Sequence, residues 1–532
     1  MMFSLIKSLL PTRGAWLATL VLPIALLILP CAASAQVAYR TVVLNGLPVP
    51  GLDPAIYFET FEPPWINANG QVAFFARIAG PGVQFGNEGA IFSESGGLHL
   101  VARKGDQAPG AELGATFGSL SLFPQLNAAG HIAFSADLIG PSIVYGRNSV
   151  GVWSDRSSAL QKIARGGDLP FTYAAPNFSV NFFQPSINDR DEISFQTFST
   201  IQTSFTTNRS DIWLNDGMGT SIVAGRSTPS PSGTGYLGSV SSLGLGPNGH
   251  IAFRASETSF PNDALWVAQD GLITLLARIG DPSSGIPQGE LRGVSNVNAL
   301  GQIAYSSNDK LWIGSSQNNL RLIAKGGDPT PGSTPAQIFH PFAFFGSDLA
   351  INDSGAVAFQ AHVQSPTQAF GSAIFSEGGG QLHLVAQSGQ QVPGLPAGAL
   401  FGELNISSLI LNNAGNVAFV GTLTGNADGP AIFAEHAGAL HILVRTGGSF
   451  ETSPGVFKTV SSTGFVGHFG NQVEGAGKFN DAGQLAFWAS FTDGSQGIFV
   501  ASLVPEIPSA SLAVIALLGL TFTQRQRARR QT

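Results

Sequence analysis

Along most of the chain, short runs of Ile, Val, Phe and Trp alternate with small or polar residues over four to seven positions. Gly, Asn, Asp and Pro bound each run. Alternation with a period of two, closed by turn residues, predicts short half-buried β-strands rather than helices. The runs fall into a repeat of the form Asn-x-x-Gly-x-x-Ala-Phe. It reads NANGQVAF from Asn67, NAAGHIAF from Asn127, NDRDEISF from Asn188 and GPNGHIAF from Gly246. NALGQIAY from Asn298, NDSGAVAF from Asn352, NNAGNVAF from Asn412 and NDAGQLAF from Asn480 complete the set. Successive starts differ by 60, 61, 58, 52, 54, 60 and 68 residues. Within each copy Asn and Gly mark a turn: Asn bonds to its own backbone and Gly supplies positive φ. Asp191 stands in the Gly position of its copy and Gly246 replaces the Asn of another, so looser turns are expected there.

Two further segments follow each copy. One is apolar-aromatic, with its ring at Phe92, Trp153, Trp213, Trp266, Trp312, Phe375, Phe433 and Phe499. The other, present in most units, reads LHLVARKGD from Leu98 or LRLIAKGGD from Leu320. Adding the apolar run before each Asn gives four short strands per unit, which predicts an all-β fold, a β-propeller of about eight four-stranded blades. Seven blades with one aberrant unit is the alternative. Repeats of this length are long for the coils of an open solenoid. Residues 39–51 resemble a last segment whose unit lacks its beginning, while the unit from Asn480 stops near Leu503 without its own. The N-terminal strand is therefore expected to complete the last blade and close the ring without free strand edges.

The repeat resembles that of the tandem NxxGxxAF-repeat, choice-of-anchor proteins over about residues 37–503; six of the eight copies keep Asn, Gly and the closing aromatic. The resemblance implies a surface or secreted repeat protein and brings no catalytic residues with it.

Composition narrows the function classes. Charged residues are only 11% of the 532, Gly accounts for 66 of them, and there is a single cysteine. A disulfide framework or a cysteine-based metal cluster is thus excluded. The net charge of −7 argues against a nucleic-acid partner, which requires clustered cations.

The two ends read as addresses. Lys7 and Arg13 precede an apolar stretch, Ala15 to Leu29, and Ala33-Ser34-Ala35 supplies a small-x-small cleavage site. Residues 1–35 are expected to be a signal peptide, cut by signal peptidase so that Gln36 begins the mature chain. Residues 504–532 hold Val504-Pro505-Glu506-Ile507-Pro508, an apolar run from Ala510 to Thr523, and Arg525, Arg527, Arg529 and Arg530. At 14 residues the run falls short of the roughly 20 that span a bilayer. This order resembles the PEP-CTERM sorting signal of Gram-negative bacteria, with Ile507 interposed before the second Pro. It implies processing by an exosortase-type transpeptidase around Val504, Pro505 and Glu506, transient membrane contact, and delivery to the cell envelope or extracellular matrix. Without the two ends, 20 basic and 32 acidic residues remain, a net charge near −12 on residues 36–503.

No catalytic, cofactor-binding or metal-ligating residue is nominated. His99, His383 and His441 share one repeat position and His131 and His250 another, so ring symmetry should separate them. His340, His362, His436 and His468 fall outside those positions. Arg/Lys-x-Gly-Asp turns (Arg103 with Asp106, Arg165 with Asp168, Arg278 with Asp281, Lys325 with Asp328) read as hydrogen-bonded turns, or else as a charged rim. The Asn-Asp-x-Gly turns lack the six to eight oxygens of a calcium loop. No nucleophile elbow, phosphate loop or His-Glu-x-x-His occurs. The expectation is a non-enzymatic exported scaffold or binding module that presents propeller loops to polysaccharide or envelope protein. A propeller glycosidase, lyase or lactonase with a channel-mouth site built on His340, His468 and nearby carboxylates is the alternative, and a self-associating matrix component a third.

Overall fold

The computed structural model describes residues 35–505 except 169–177, 203–205, 234, 259, 282–283, 285, 287–290, 308, 333–336, 345–347, 366–367, 405–407 and 466–477. Ala33, Glu506, the rest of the sorting segment and His468 lie outside the described residues. Ala35 and Gln36 open the first strand, Ala35–Leu44.

Ala35–Val504 forms eight antiparallel sheets in chain order, an eight-bladed β-propeller. In blade 1 the first strand is Tyr57–Phe61 continued by Trp65–Ile66, the second Val72–Ala79, the third Gly89–Ser93 and the fourth His99–Arg103. The first strands of all blades surround the axis and the fourth strands form the rim. Blade 8 takes Val456–Gly464, Gln484–Phe491 and Gln496–Pro505 from the C-terminal side and Ala35–Leu44 as its outermost strand. Asn45 ties this junction: its amide donates to Gln496 O at 2.9 Å, and its carboxamide oxygen accepts from Gln496 N at 2.9 Å. The closing strand also grips both neighbours. Tyr39 Oη donates to Leu443 O in blade 7, and Arg40 reaches Glu94 and Gly70 O in blade 1. The expected interlock is what the structure contains.

The two recurring aromatics turn out to be direct cross-strand partners. Phe74 lies opposite Phe92, Phe134 opposite Trp153, Phe195 opposite Trp213, and Phe253 opposite Trp266. Tyr305 faces Trp312, Phe359 faces Phe375, Phe419 faces Phe433 and Phe487 faces Phe499. Most of these pairs stack, with centroids 5.1 Å apart at Phe419–Phe433 and 6.5 Å at Phe134–Trp153. A third ring from the first strand meets several of them edge-on, as Phe117 does Trp153 at 5.2 Å. In blades 1 to 7 a bulge falls between the aromatic of the third strand and the residue before it. The ring then lies over the residue two places earlier: a Cβ on Gly151 would come 3.0 Å from the Trp153 ring, and one on Gly497 2.8 Å from that of Phe499. This geometry accounts for Gly or Ala at that place in most units. Trp312 is the exception among the large rings: it is half-buried, and Tyr305 fills the blade 5 core, donating to Ser284 O at 3.1 Å.

Candidate functional site

The recurring Asn, present in seven of the eight repeats, does two jobs, one within its turn and one between blades. Asn67 Oδ1 accepts from Asn69 N and Gln71 N, both at 3.0 Å, which fixes the turn. Its Nδ2 donates to Gln71 Oε1 at 2.8 Å and to Asn127 O of the next blade at 2.9 Å. The same interblade bond runs from Asn127 to Asn188 O, Asn188 to Gly246 O, Asn298 to Asn352 O, Asn352 to Asn412 O and Asn412 to Asn480 O. Asn480 then returns to Asn67 O at 3.0 Å across 413 residues. Seven side chains thus form a belt around the axis, interrupted where Gly246 has no carboxamide to offer. Asn248 Nδ2 to Ala299 O, at 3.0 Å, spans that junction instead. The two altered turns keep their shape. Asp191 adopts φ 59° in place of glycine, and Gly246 N still donates to His250 O at 2.8 Å.

Asn480→Ala is expected to destabilise the ring by about 2 kcal/mol, because it leaves buried donors and acceptors unmet on two blades. Urea unfolding with hydrogen exchange at Gln484 would measure this, and a loss below a few tenths of a kcal/mol would show the belt to be incidental.

Beside the belt, the ends of the first strands enclose an axial cavity of about 330 Å³ with apolar walls that include Ile66, Leu126, Ile187, Val297, Ile351 and Leu411. Asp189, Asp353 and Asp481 follow belt positions at its mouth, and each is committed to backbone. Asp189 accepts from Ala128 N at 2.7 Å, Asp353 from Ala299 N at 2.8 Å and Asp481 from Asn413 N at 2.7 Å. Among the described residues no group of three or more His, Cys, Asp or Glu is placed to hold a metal ion.

The histidines are dispersed around the ring. His383 bonds Glu435 of the next blade at 3.0 Å, and Arg321 and Arg40, at equivalent places, bond Glu377 and Glu94 at 2.6 Å. These acids stand two residues after the third-strand aromatics, and Glu94 and Glu377 also accept from the second-strand amides of Val72 and Val357. The repeat position of His99, His383 and His441 is therefore an interblade connector. His441 faces blade 8, where Ala501 replaces the acid, and burial pushes its pKa down, helped by His436. His131 Nδ1 is hydrogen-bonded to Asp191 Oδ1 at 2.7 Å, with the carboxylate accepting. His250 lies against Gly301 of the next turn, with its pKa lowered by burial. His340 and His362 both pack on the Phe370 ring, at 5.5 and 4.3 Å, and His340 Nδ1 accepts from Phe342 N.

In the Arg/Lys-x-Gly-Asp turns the basic residue does not pair with its own Asp. Arg103 donates to Asn87 O at 2.9 Å, Arg165 grips Glu112 with two bonds of 2.6 and 2.7 Å, and Arg278 pairs with Glu257. Asp168 pairs with Lys162 at 2.6 Å. These are bonds that brace loops rather than a free charged rim.

The ring has two unlike faces. On one lie the Asn turns, and both ends of the ring lie with them: Leu503 N donates to Gly483 O at 3.0 Å, and Ala35–Leu44 runs antiparallel beside that strand. On the other lie the loops joining second to third strands and the connections between blades. There Phe85, Leu113 and Tyr145 are 95%, 96% and 94% exposed. Two of them carry a readable signal, since Gly80-Pro81 to Phe85-Gly86 and Gly140-Pro141 to Tyr145-Gly146 repeat one motif 60 residues apart, but their exposure is not written in it.

A family model described as Family of unknown function (DUF7453) matches residues 31–170, 144–310 and 304–511. No curated protein matches the sequence. The WD40 domain of SCAP from fission yeast is similar at 7% identity and TM-score 0.35, with 88% of this chain and 94% of that one covered. Penicillium chrysogenum alpha-L-arabinanase complexed with arabinobiose is similar at 12% identity and TM-score 0.27, covering 62% and 94%. SapL1 lectin in complex with alpha methyl fucoside is similar at 15% identity and TM-score 0.24, covering 64% and 99%. Enzymes and non-enzymes both occur among these propellers.

Proposed function

The chain belongs to the Family of unknown function (DUF7453), and from the geometry of its ring we propose an exported, non-enzymatic display scaffold of the cell envelope or extracellular matrix. The observation that carries the reading is the polarity of the ring. Ala35 and Val504 both lie on the Asn-turn face, on the opposite side of the ring from the loops that carry Phe85, Leu113 and Tyr145. The spread of the described histidines over several blades and the commitment of Asp189, Asp353 and Asp481 at the axis to backbone amides favour a binding role over catalysis. The signal-peptide-like start, with cleavage at Ala35–Gln36, and the sorting-like segment at Val504, Pro505 and Glu506 supply the route: signal peptidase first, then an exosortase-type enzyme. The partner class is extracellular polysaccharide or envelope protein.

Intact mass and fractionation of the protein from its native cells test the route. A secreted or surface species that begins at Gln36 and ends near Val504 is expected. A cytoplasmic species still carrying residues 1–35 would refute it.

A further inference from the structure

We infer that three linked loop tips on blades 1 and 2, carrying Phe85, Leu113 and Tyr145, form a platform for a neutral polysaccharide; this rests on the display reading above. The two ring-bearing loops are built alike. In blade 1 the Asn87 carboxamide accepts from Gln84 N at 2.7 Å and donates to Gly82 O at 3.1 Å. In blade 2 Asn148 accepts from Val144 N at 2.7 Å and donates to Ser142 O at 3.1 Å. Gly86 and Gly146, with φ of 110° and 74°, turn the chain directly after each ring. Leu113 rises from the connection between the two blades. Gln107 braces that loop, accepting from Gly114 N at 2.8 Å and donating to Glu112 O at 3.0 Å. Gly114 in turn abuts the blade 2 loop, where a Cβ on Gly140 would fall 2.4 Å from Gly114 O.

Large apolar side chains held out on braced loops gain nothing from the fold's own core, since they stay in water rather than being buried. The surrounding charges are already paired: Lys104 with Glu88 at 2.9 Å, Arg165 with Glu112 at 2.6 Å and Lys162 with Asp168 at 2.6 Å. Hydrogen bonds from Lys104 and from backbone amides outweigh burial and hold Glu88 down at about 2, so it stays ionised and occupied. A partner for these tips therefore needs no net charge. It needs flat apolar faces that stack on exposed rings, one of which, Phe85, has Lys104 Nζ over it at 5.4 Å, with hydroxyls for the polar backbone between them, which is the surface of a pyranose polymer. Equivalent rings on successive blades suit a ligand that itself repeats. A globular protein partner would instead bury one contiguous apolar core. An anionic bilayer is disfavoured by the charge near −12 on residues 36–503.

The test uses the mature protein from its native cells, and the same protein with Phe85→Ala/Tyr145→Ala or Leu113→Ala. Affinity electrophoresis would run in gels containing dextran, hydroxyethylcellulose or mixed-linkage β-glucan, with alginate as the anionic arm. Sedimentation with phosphatidylglycerol vesicles would be run alongside. The expected result is retardation by at least one neutral polymer, weakened at least tenfold in the double variant and severalfold by Leu113→Ala, at unchanged thermal midpoint. Retardation that survives the double substitution overturns the platform while leaving the display reading standing. Retardation by alginate alone, or vesicle binding lost in the double variant, also overturns it by giving these tips another partner. Retardation by none of the polymers would overturn the platform, while the display reading stands or falls on the intact mass and fractionation above.

Discussion

Trp153→Ala is expected to destabilise the propeller by about 3–5 kcal/mol, the range for deleting a fully buried large aromatic. The indole is completely buried. It stacks on Phe134 with centroids at 6.5 Å, takes the edge of Phe117 at 5.2 Å, and donates from Nε1 to Pro109 O at 3.1 Å. Truncation removes all three interactions and leaves a cavity that the β-sheet backbones cannot collapse to fill. Trp153→Phe should cost much less, because Phe already occupies the equivalent place at Phe92, Phe375, Phe433 and Phe499. Urea unfolding gives the difference from the shift in midpoint at constant slope. Because each blade contacts mainly its neighbours, hydrogen exchange should quicken first in the strands of blade 2. A loss under 1 kcal/mol for the alanine variant would show that the aromatic pairs are not what holds a blade together.

Asp348→Asn is expected to stabilise the protein at alkaline pH and to change little at pH 4. Asp348 sits beside the inner strand of blade 6, where Gln360 N donates to its backbone oxygen at 3.2 Å. Its Oδ2 and the Oε1 of Gln360 are both buried without a hydrogen-bond partner among the described residues. Desolvation by burial pushes its pKa from 3.8 up to about 7. The folded state therefore binds a proton that the unfolded state has released between those two values. Stability falls as pH rises through this window and is constant above it. At 1.36 kcal/mol per pKa unit, the full penalty above pH 7 is on the order of 4 kcal/mol. Asparagine cannot ionise and brings a donor that Gln360 Oε1 lacks. Urea unfolding of both proteins at pH 4 and pH 8 should therefore show a gain only at pH 8. An equal difference at both pH values would locate the effect in packing rather than ionisation.

The sequence by itself determined the unit, its four strands and the interlocking closure, and it favoured eight blades over seven, a choice the eight sheets of the ring decide. These depend on signals local to a few residues: the period of two, the Asn-x-x-Gly turn, and an aromatic at fixed offset from a small residue. The pairing of the two aromatics follows from the same register. Only the tertiary structure decided what the repeated polar residues are for. The Asn side chains bond their counterparts 54 to 68 residues away, and the histidine position reaches an acid on the neighbouring blade. Such bonds exist only once the ring has brought equivalent places side by side. The exposure of the tips at Phe85, Leu113 and Tyr145 and the desolvation of the Asp348 carboxyl were likewise invisible along the chain. Exposure and desolvation are set by what the closed ring packs around a residue, which no local pattern encodes.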